Sequence, residues 1–466
     1  MKFRTTFILL GILVILLASV ILLEHRSTRV QEKKEQSEKL TDFKVSDIEK
    51  ISLRIDNQTS FTLSKDEKGN WQIIEPIEAE ADDYEARSLV ENFASLRMEK
   101  VVEKQPADLT AYEIPKKEVL LWIKDMSQPV VIQVGMENPI DNTLYARRTD
   151  RPELVLIPGY LRYSLDKKLF DLRKKDILKF ATDQVEEIEL KSSEVNWKIK
   201  RQKDNWYLVQ PVAALASKYQ IDNLLDNLSR LRAREFLAEE KTPENLKQFG
   251  LDKPEFTINL SLRESQQLSF FINRQDSKVI ATNSLSRKII EVESQIINDL
   301  TRRVPDLREK KVAQFNSWEV VAVSLKKKDQ TEILAQKELV KEKKQETEKW
   351  FLLSGGGAKE PADESKIESL LRKLEYLEAQ DFIDHPESLS SYGLDHPRLV
   401  ITIKHKPVDK EEQIIELLVG SEDQKQLQVV IKNRDFDYLF RVDSAFLQQL
   451  PEKAEDWKQV ENKNQI

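Results

Sequence analysis

Residues 216–231 read "ASKYQIDNLLDNLSRL", with Leu224, Leu225, Leu228 and Leu231 at positions i, i+1, i+4 and i+7. That spacing lines one face of an amphipathic helix. The pattern recurs in "ADDYEARSLVENFASL" (81–96) on Leu89, Val90, Phe93 and Leu96, and in "ADESKIESLLRKLEYL" (362–377) on Leu370, Leu371, Leu374 and Leu377. Three copies of one helix predict three copies of one unit.

The flanks repeat with it. Upstream stand "FKVSDIEKISL" (43–53), "FATDQVEEIEL" (180–190) and "FNSWEVVAVSL" (315–325), each followed by a tryptophan: Trp71, Trp206 and Trp350. The tryptophan offsets are 206−71=135 and 350−206=144. "FDLRKKDILKF" (170–180) and "PDLREKKVAQF" (305–315) close the first two copies. Apolar alternation at Ile51/Leu53/Ile55, Trp197/Ile199 and Phe256/Ile258/Leu260/Leu262 predicts strands with one buried face. Each unit then reads as two or three strands, the amphipathic helix, a short helix, several more strands and a terminal helix. Strands in runs, with helices between the runs, predict α+β domains with mainly antiparallel sheets. The expected domains are 43–179, 180–314 and 315–457, with a tail at 458–466. Units of this size hold their own cores. Equivalent strand positions make the three tryptophans core anchors rather than ligand-stacking residues; Trp122, Trp197, Trp318 and Trp457 show no threefold pattern.

Downstream of each helix lies a shorter motif: "QPADLTAYEIPKK" (105–117), "TPENLKQFGLDKP" (242–254) and "HPESLSSYGLDHP" (385–397). Pro106, Pro243 and Pro386 fit the first position of a helix, and Thr242 fits its N-cap. Gly250 and Gly393 fit a left-handed C-terminal position, with Leu251 and Leu394 falling back on Leu246 and Leu389. In the first copy Glu113 stands in the glycine's place, and Ile114 and Leu109 keep the contact. Asp252 and Asp395 are expected to close Asx-turns, and Pro254 and Pro397 to extend the chain into the next strand. Backbone geometry accounts for every residue type, so the motif is read as punctuation rather than a catalytic site.

The N-terminus says where the protein sits. "TTFILLGILVILLASVILL" (5–23) holds 19 residues without a charge, after Lys2 and Arg4. At 1.5 Å per residue it spans about 28 Å, close to the ~30 Å hydrocarbon layer. A cleaved signal peptide is the rival reading, but its apolar region is shorter and ends in a small-x-small site, which "LASVILLEHRS" does not offer. An uncleaved anchor at 5–23 is expected, with a cytoplasmic stub at 1–4, a polar stalk at 24–42, and the bulk of the chain outside the cytoplasmic membrane.

Net charge is −7; residues 1–34 carry +4, which leaves −11 on the rest. An acidic, well-mixed body is a poor partner for nucleic acid. The chain has no cysteine, which excludes disulfides, thiolate nucleophiles and Cys-bound metals. His385, His396 and His405 lack metal-ligand spacing, so no metal or cofactor is expected. "SGGGAKE" (354–360) has no Gly-Lys-Ser/Thr and reads as a flexible loop, and no Gly-x-Ser-x-Gly elbow occurs. The many carboxylates read as a solvated surface.

A span followed by units with tryptophan, the amphipathic helix and Gly-Leu-Asp-x-Pro resembles the bacterial domain-of-unknown-function 4340 family, over nearly the whole body. The chain departs from the pattern at Glu113–Lys117 and at Gly355, where Pro76 and Pro211 stand in the other copies. Such proteins are often encoded beside gliding-motility-type ABC transporter components, so the resemblance implies an envelope or transporter-accessory role and carries over no catalytic residues. The expected function is a membrane-anchored, non-enzymatic periplasmic scaffold with transporter or envelope partners. The alternatives are a lipid- or polysaccharide-binding protein and a carboxylate-dependent envelope hydrolase.

Overall fold

A computed structural model describes residues 38–56, 58–342, 345–353 and 358–459. The expected span at 5–23, the stub, residues 354–357 with Gly355, and the tail from 460 lie outside these. Among the described residues no helix is long and apolar enough to cross a membrane.

Three nine-stranded antiparallel sheets follow one another along the chain, all with one strand order. In the first, the strands are β1 (Ile48–Ile55), β2 (Gln58–Lys65), β3 (Trp71–Glu75), β4 (Ala79–Glu80), β5 (Lys100–Glu103), β6 (Lys117–Ile123), β7 (Val130–Glu137), β8 (Leu144–Arg148) and β9 (Leu154–Ile157). They are ordered β4-β3-β2-β1-β6-β7-β8-β9-β5. The second sheet spans 185–292 and the third 320–443. Helix α1 (Asp83–Ala94) and its counterparts Lys218–Ser229 and Glu364–Glu375 bury the leucine face read from the sequence. Asp82 and Asp363 cap two of these helices by accepting the amides of Glu85 and Lys366. The terminal helix resolves into short pieces, such as Ile296–Leu300 and Val304–Leu307.

By its packing the chain divides into two compact units, one ending at Lys175 and the other beginning at Asp176. The second contains two repeats, and one continuous apolar cluster runs through both, from Val185 to Trp457. Residues 38–42 are not stalk. Leu40 and Thr41 are buried, and the Leu40 amide donates to the Leu96 carbonyl at 2.8 Å. Ile177 and Val312 make the same bond to Leu231 and Leu377. Leu40 is held because it fills the same slot that opens each repeat, which a polar composition around it hides.

Candidate functional site

Strand order explains the repeated motif. β5 lies at the sheet edge beyond β9, while β6 lies next to β1. The connection must therefore cross β9, β8 and β7. It does so on the face opposite the helix: Leu251 packs with Ile280 and Ile289, apart from the helix-side core that holds the alternating neighbours Val279 and Ala281. Leu394 does the same with Val430 and Leu439. In the first copy Ile114 is buried, and the Tyr112 and Tyr145 rings meet at 4.7 Å.

The turn that plants this apolar foot is the same in all three copies. Gly250 and Gly393 take φ of +67° and +68°, and Glu113 takes +54° in their place. The Leu251, Leu394 and Ile114 amides donate to the Leu246, Leu389 and Leu109 carbonyls at 2.7, 3.0 and 3.2 Å. The Gly250, Gly393 and Glu113 amides reach Lys247, Ser390 and Thr110, completing a Schellman pair each time.

Two sequence expectations are corrected here. Only Pro243 stands at the first position of a helix, Pro243–Gln248, capped by Thr242 on the Asn245 amide. Pro106 and Pro386 precede mere 3₁₀ turns, Thr110–Tyr112 and Ser390–Tyr392. There the Asp108 and Ser388 side chains accept the amides of Thr110 and Ser390 two residues on, a local bond that competes with helix initiation. Nor does Asp395 close an Asx-turn, since its carboxylate accepts the next amide, from His396. Asp252 holds the same place in the second copy and is exposed like Asp395, and Pro254 and Pro397 lead into the strands Phe256–Leu262 and Leu399–His405.

Where the crossing segment touches the sheet, the sequence carries a signal that self-comparison of the motif alone misses. A Cβ on Gly135 of β7 would collide with the Tyr112 carbonyl oxygen and lie 2.6 Å from Ile114 Cγ1; one on Gly420 would meet Tyr392 O and stand 3.0 Å from Leu394 Cδ2. The second copy holds Asn273 at this place, and its side-chain amide donates to the Phe249 carbonyl at 3.1 Å. Glycine lets the backbones touch, and asparagine bridges them.

The tryptophans form a second threefold device. Trp71, Trp206 and Trp350 are buried, and each lies directly across a strand pair from a cation: Lys65, Arg201 and Lys337. These cations sit over the rings at 5.2, 4.5 and 5.4 Å. Each also donates to a carbonyl of the 3₁₀ turn before the first strand: Lys65 to Ser46 at 3.1 Å, Arg201 to Asp183 at 3.0 Å, Lys337 to Trp318 at 3.3 Å. Burial pushes the Lys65 ammonium below its usual range. A ring covered by the protein's own cation is a core anchor, not a stacking platform for a ligand.

The ends of the repeats carry a third. The Leu172, Leu307 and Trp457 carbonyls accept the Asp82, Ser217 and Asp363 amides at 2.7, 2.8 and 2.7 Å. Trp457 therefore has a threefold place after all, hidden because leucine fills it elsewhere. The next residue in the second repeat, Arg308, is buried in the third. Its guanidinium lies 3.7 Å from the Phe382 centroid and 4.4 Å from that of Tyr438, and donates to Asp384 Oδ1 at 2.5 Å. In the third repeat the equivalent Lys458 is half-exposed and pairs with Glu360 at 2.7 Å.

The histidines do not assemble. His385 and His396 are exposed and His405 is buried beside Phe315. Among the described residues no group of three His, Asp or Glu stands ready for a metal. A shallow cleft in the third repeat is lined by Lys366, Ser369, Lys373, Gln448 and Trp457. In the other repeats the same helix face is bridged instead, by Asn92 to Ser164 at 2.9 Å and by Asn227 to Asp299 at 2.7 Å.

No curated protein matches the chain. Among solved structures, the DNA polymerase III subunit beta from Pseudomonas aeruginosa is 8% identical, covers 85% of this chain and 92% of that one, and has a TM-score of 0.17. A DNA polymerase sliding clamp from Pseudomonas aeruginosa, with ligand, is 8% identical over 86% and 93%, with a TM-score of 0.15. At those scores the likeness carries no argument. The family described as "Domain of unknown function (DUF4340)" matches residues 71–236, 206–387 and 350–461. The three matches begin on Trp71, Trp206 and Trp350, the cation-covered rings, and together reach across most of the chain: this protein belongs to that family, which it carries in three tandem copies.

Proposed function

We propose that the protein is a membrane-anchored, extracytoplasmic scaffold without a reaction of its own, an accessory to a transporter or envelope assembly. The joint at Arg308 carries this reading. Through it and the shared apolar cluster, two like repeats become one body, and their equivalent surfaces stand in fixed relation. Linked surfaces of this kind hold partners through several weak contacts and gain from effective concentration. The 19 uncharged residues at 5–23 support a tether that confines these surfaces near the membrane. Repeated residues that could suggest chemistry serve the fold, as turn formers, as cation-covered rings or as joints between repeats.

Complementation of a deletion strain tests it. Removing 5–23 while leaving the body folded is expected to abolish function, and single Asp, Glu or His substitutions to leave it intact. Full activity of the untethered body overturns the reading, as does one carboxylate change that ends activity without unfolding.

A further inference from the structure

The loop between β7 and β8 holds an isoleucine out to water. Asn138 and Thr143 are buried, and the Asn138 amide donates to the Thr143 carbonyl at 2.7 Å. Asn138 Nδ2 donates to Asp141 Oδ1 at 2.8 Å, and the Ile140 amide to Asn138 Oδ1 at 3.3 Å. Thr143 donates to Asp141 from its amide at 3.2 Å and from its hydroxyl at 2.6 Å. Hydrogen bonds from Thr143 hold the Asp141 carboxyl below its usual range. These bonds among Asn138, Asp141 and Thr143 hold the shape of the loop that carries Ile140. Ile140 itself is 88% exposed.

Two exposed rings follow on the neighbouring segment. The loop presses on Gly159, where a Cβ would collide with the Asn142 carbonyl oxygen. Tyr160 and Tyr163 follow, 58% and 72% exposed. Arg162 lies 5.5 Å from the Tyr163 ring and pairs with Glu137 at 3.0 Å. Single exposed apolar residues are ordinary, but an aliphatic side chain on a loop and two tyrosines and an arginine on the helical turns that touch it form the mixture that settles at a membrane–water boundary.

We propose that this patch of the first unit rests on the lipid interface of the bilayer that anchors the chain; the inference rests on the anchor reading above. The geometry allows it. The chain enters the unit at Lys39 and Leu40, whose carbonyls accept from Arg151 at 3.1 Å and from Arg148 at 2.9 Å. Arg148 ends β8 and Leu144, next to the patch loop, begins it, so the strand carries the entering segment about 13 Å from that loop. The residues numbered 24–37 can cover at most ~46 Å when extended, enough for the unit to lie over with its patch on the bilayer.

The lack of native cysteine makes the test clean. Full-length single-cysteine variants Ile140→Cys and Tyr163→Cys, with Met126→Cys as control, are labelled with an environment-sensitive fluorophore. They are reconstituted into vesicles of phosphatidylethanolamine and phosphatidylglycerol. Met126 lies in the turn before β7, at the other end of that strand. The labels at 140 and 163 are expected to shift to the blue and to be quenched by spin-labelled lipid, with the label at 126 unchanged. Adding Ile140→Asp is expected to return the label at 163 to its value in water while the chain still floats with the vesicles. Water-like emission at 140 in a floating chain overturns the patch alone, as does a blue shift at 126 instead. A chain that fails to float overturns the anchor and the patch together.

Discussion

The guanidinium of Arg308 stacks on the Phe382 ring at 3.7 Å, which joins the end of one repeat to an edge strand of the next. Tyr438 covers its other neighbourhood at 4.4 Å and Asp384 neutralises it. A planar cation suits such a slot better than an ammonium, because it stacks and bonds at once.

Arg308→Ala is expected to destabilise the second unit by roughly 3 kcal/mol, since it empties a buried, paired site. Calorimetry should show more. Two repeats that share one core unfold in one transition, and the variant should split it in two. A single unshifted transition in the variant would remove the joint from the account.

Gly250→Val should cost about 1–2 kcal/mol or more, because φ of +67° is a left-handed position and the new side chain meets Asn273. Gly135→Ala and Gly420→Ala should also destabilise, for a different reason: the crossing segment occupies the space of the added Cβ. Gly69→Ala, with no atom within 4 Å, isolates the strain of a positive φ from the clash. Urea denaturation of the four variants orders these effects; an unshifted midpoint for Gly135→Ala would contradict the crossing contact.

Much of this was legible beforehand. Leu224, Leu225, Leu228 and Leu231 state the helix, and Gly250 and Gly393 state the turn, because both depend on local spacing. Strand order does not. Nothing local says that β5 pairs beyond β9, so the reason for the crossing, and for Gly135 facing Tyr112, came only with the sheet. The helix expected at Pro106 and Pro386 failed for a local reason, the competing Asp108 and Ser388 side chains. The cations over Trp71, Trp206 and Trp350 vary between lysine and arginine and hide in charged strands. Arg308 looked like one charge among many in a closing segment.

Arg201→Ala should destabilise the second unit by about 1 kcal/mol, through loss of the cation over Trp206 and of the bond to the Asp183 carbonyl. Arg201→Lys should recover part of it, since Lys65 and Lys337 do the same task elsewhere. Equal loss in both variants would mean that the ring does not need its cation.

Burial pushes the His405 imidazole below its ordinary 6.5, against a weaker upward pull from Glu319. The native state thus holds the proton less tightly than the unfolded chain, so this contribution is complete above 6.5 and is lost as pH falls from there through the lowered native value. Stability of the second unit should decline over that window, and His405→Phe should flatten the slope. An identical pH profile for the variant would clear His405 of the effect.

The central claim is a tethered body outside the cytoplasmic membrane. The most direct measurement is labelling of Lys2→Cys and Met126→Cys variants with a membrane-impermeant maleimide on intact spheroplasts, since the natural chain offers no thiol. The account predicts labelling at 126, none at 2 until the membrane is permeabilised, and both variants in the membrane fraction. Protection of 126 in intact spheroplasts, or a body that is freely released from the membrane, would contradict it.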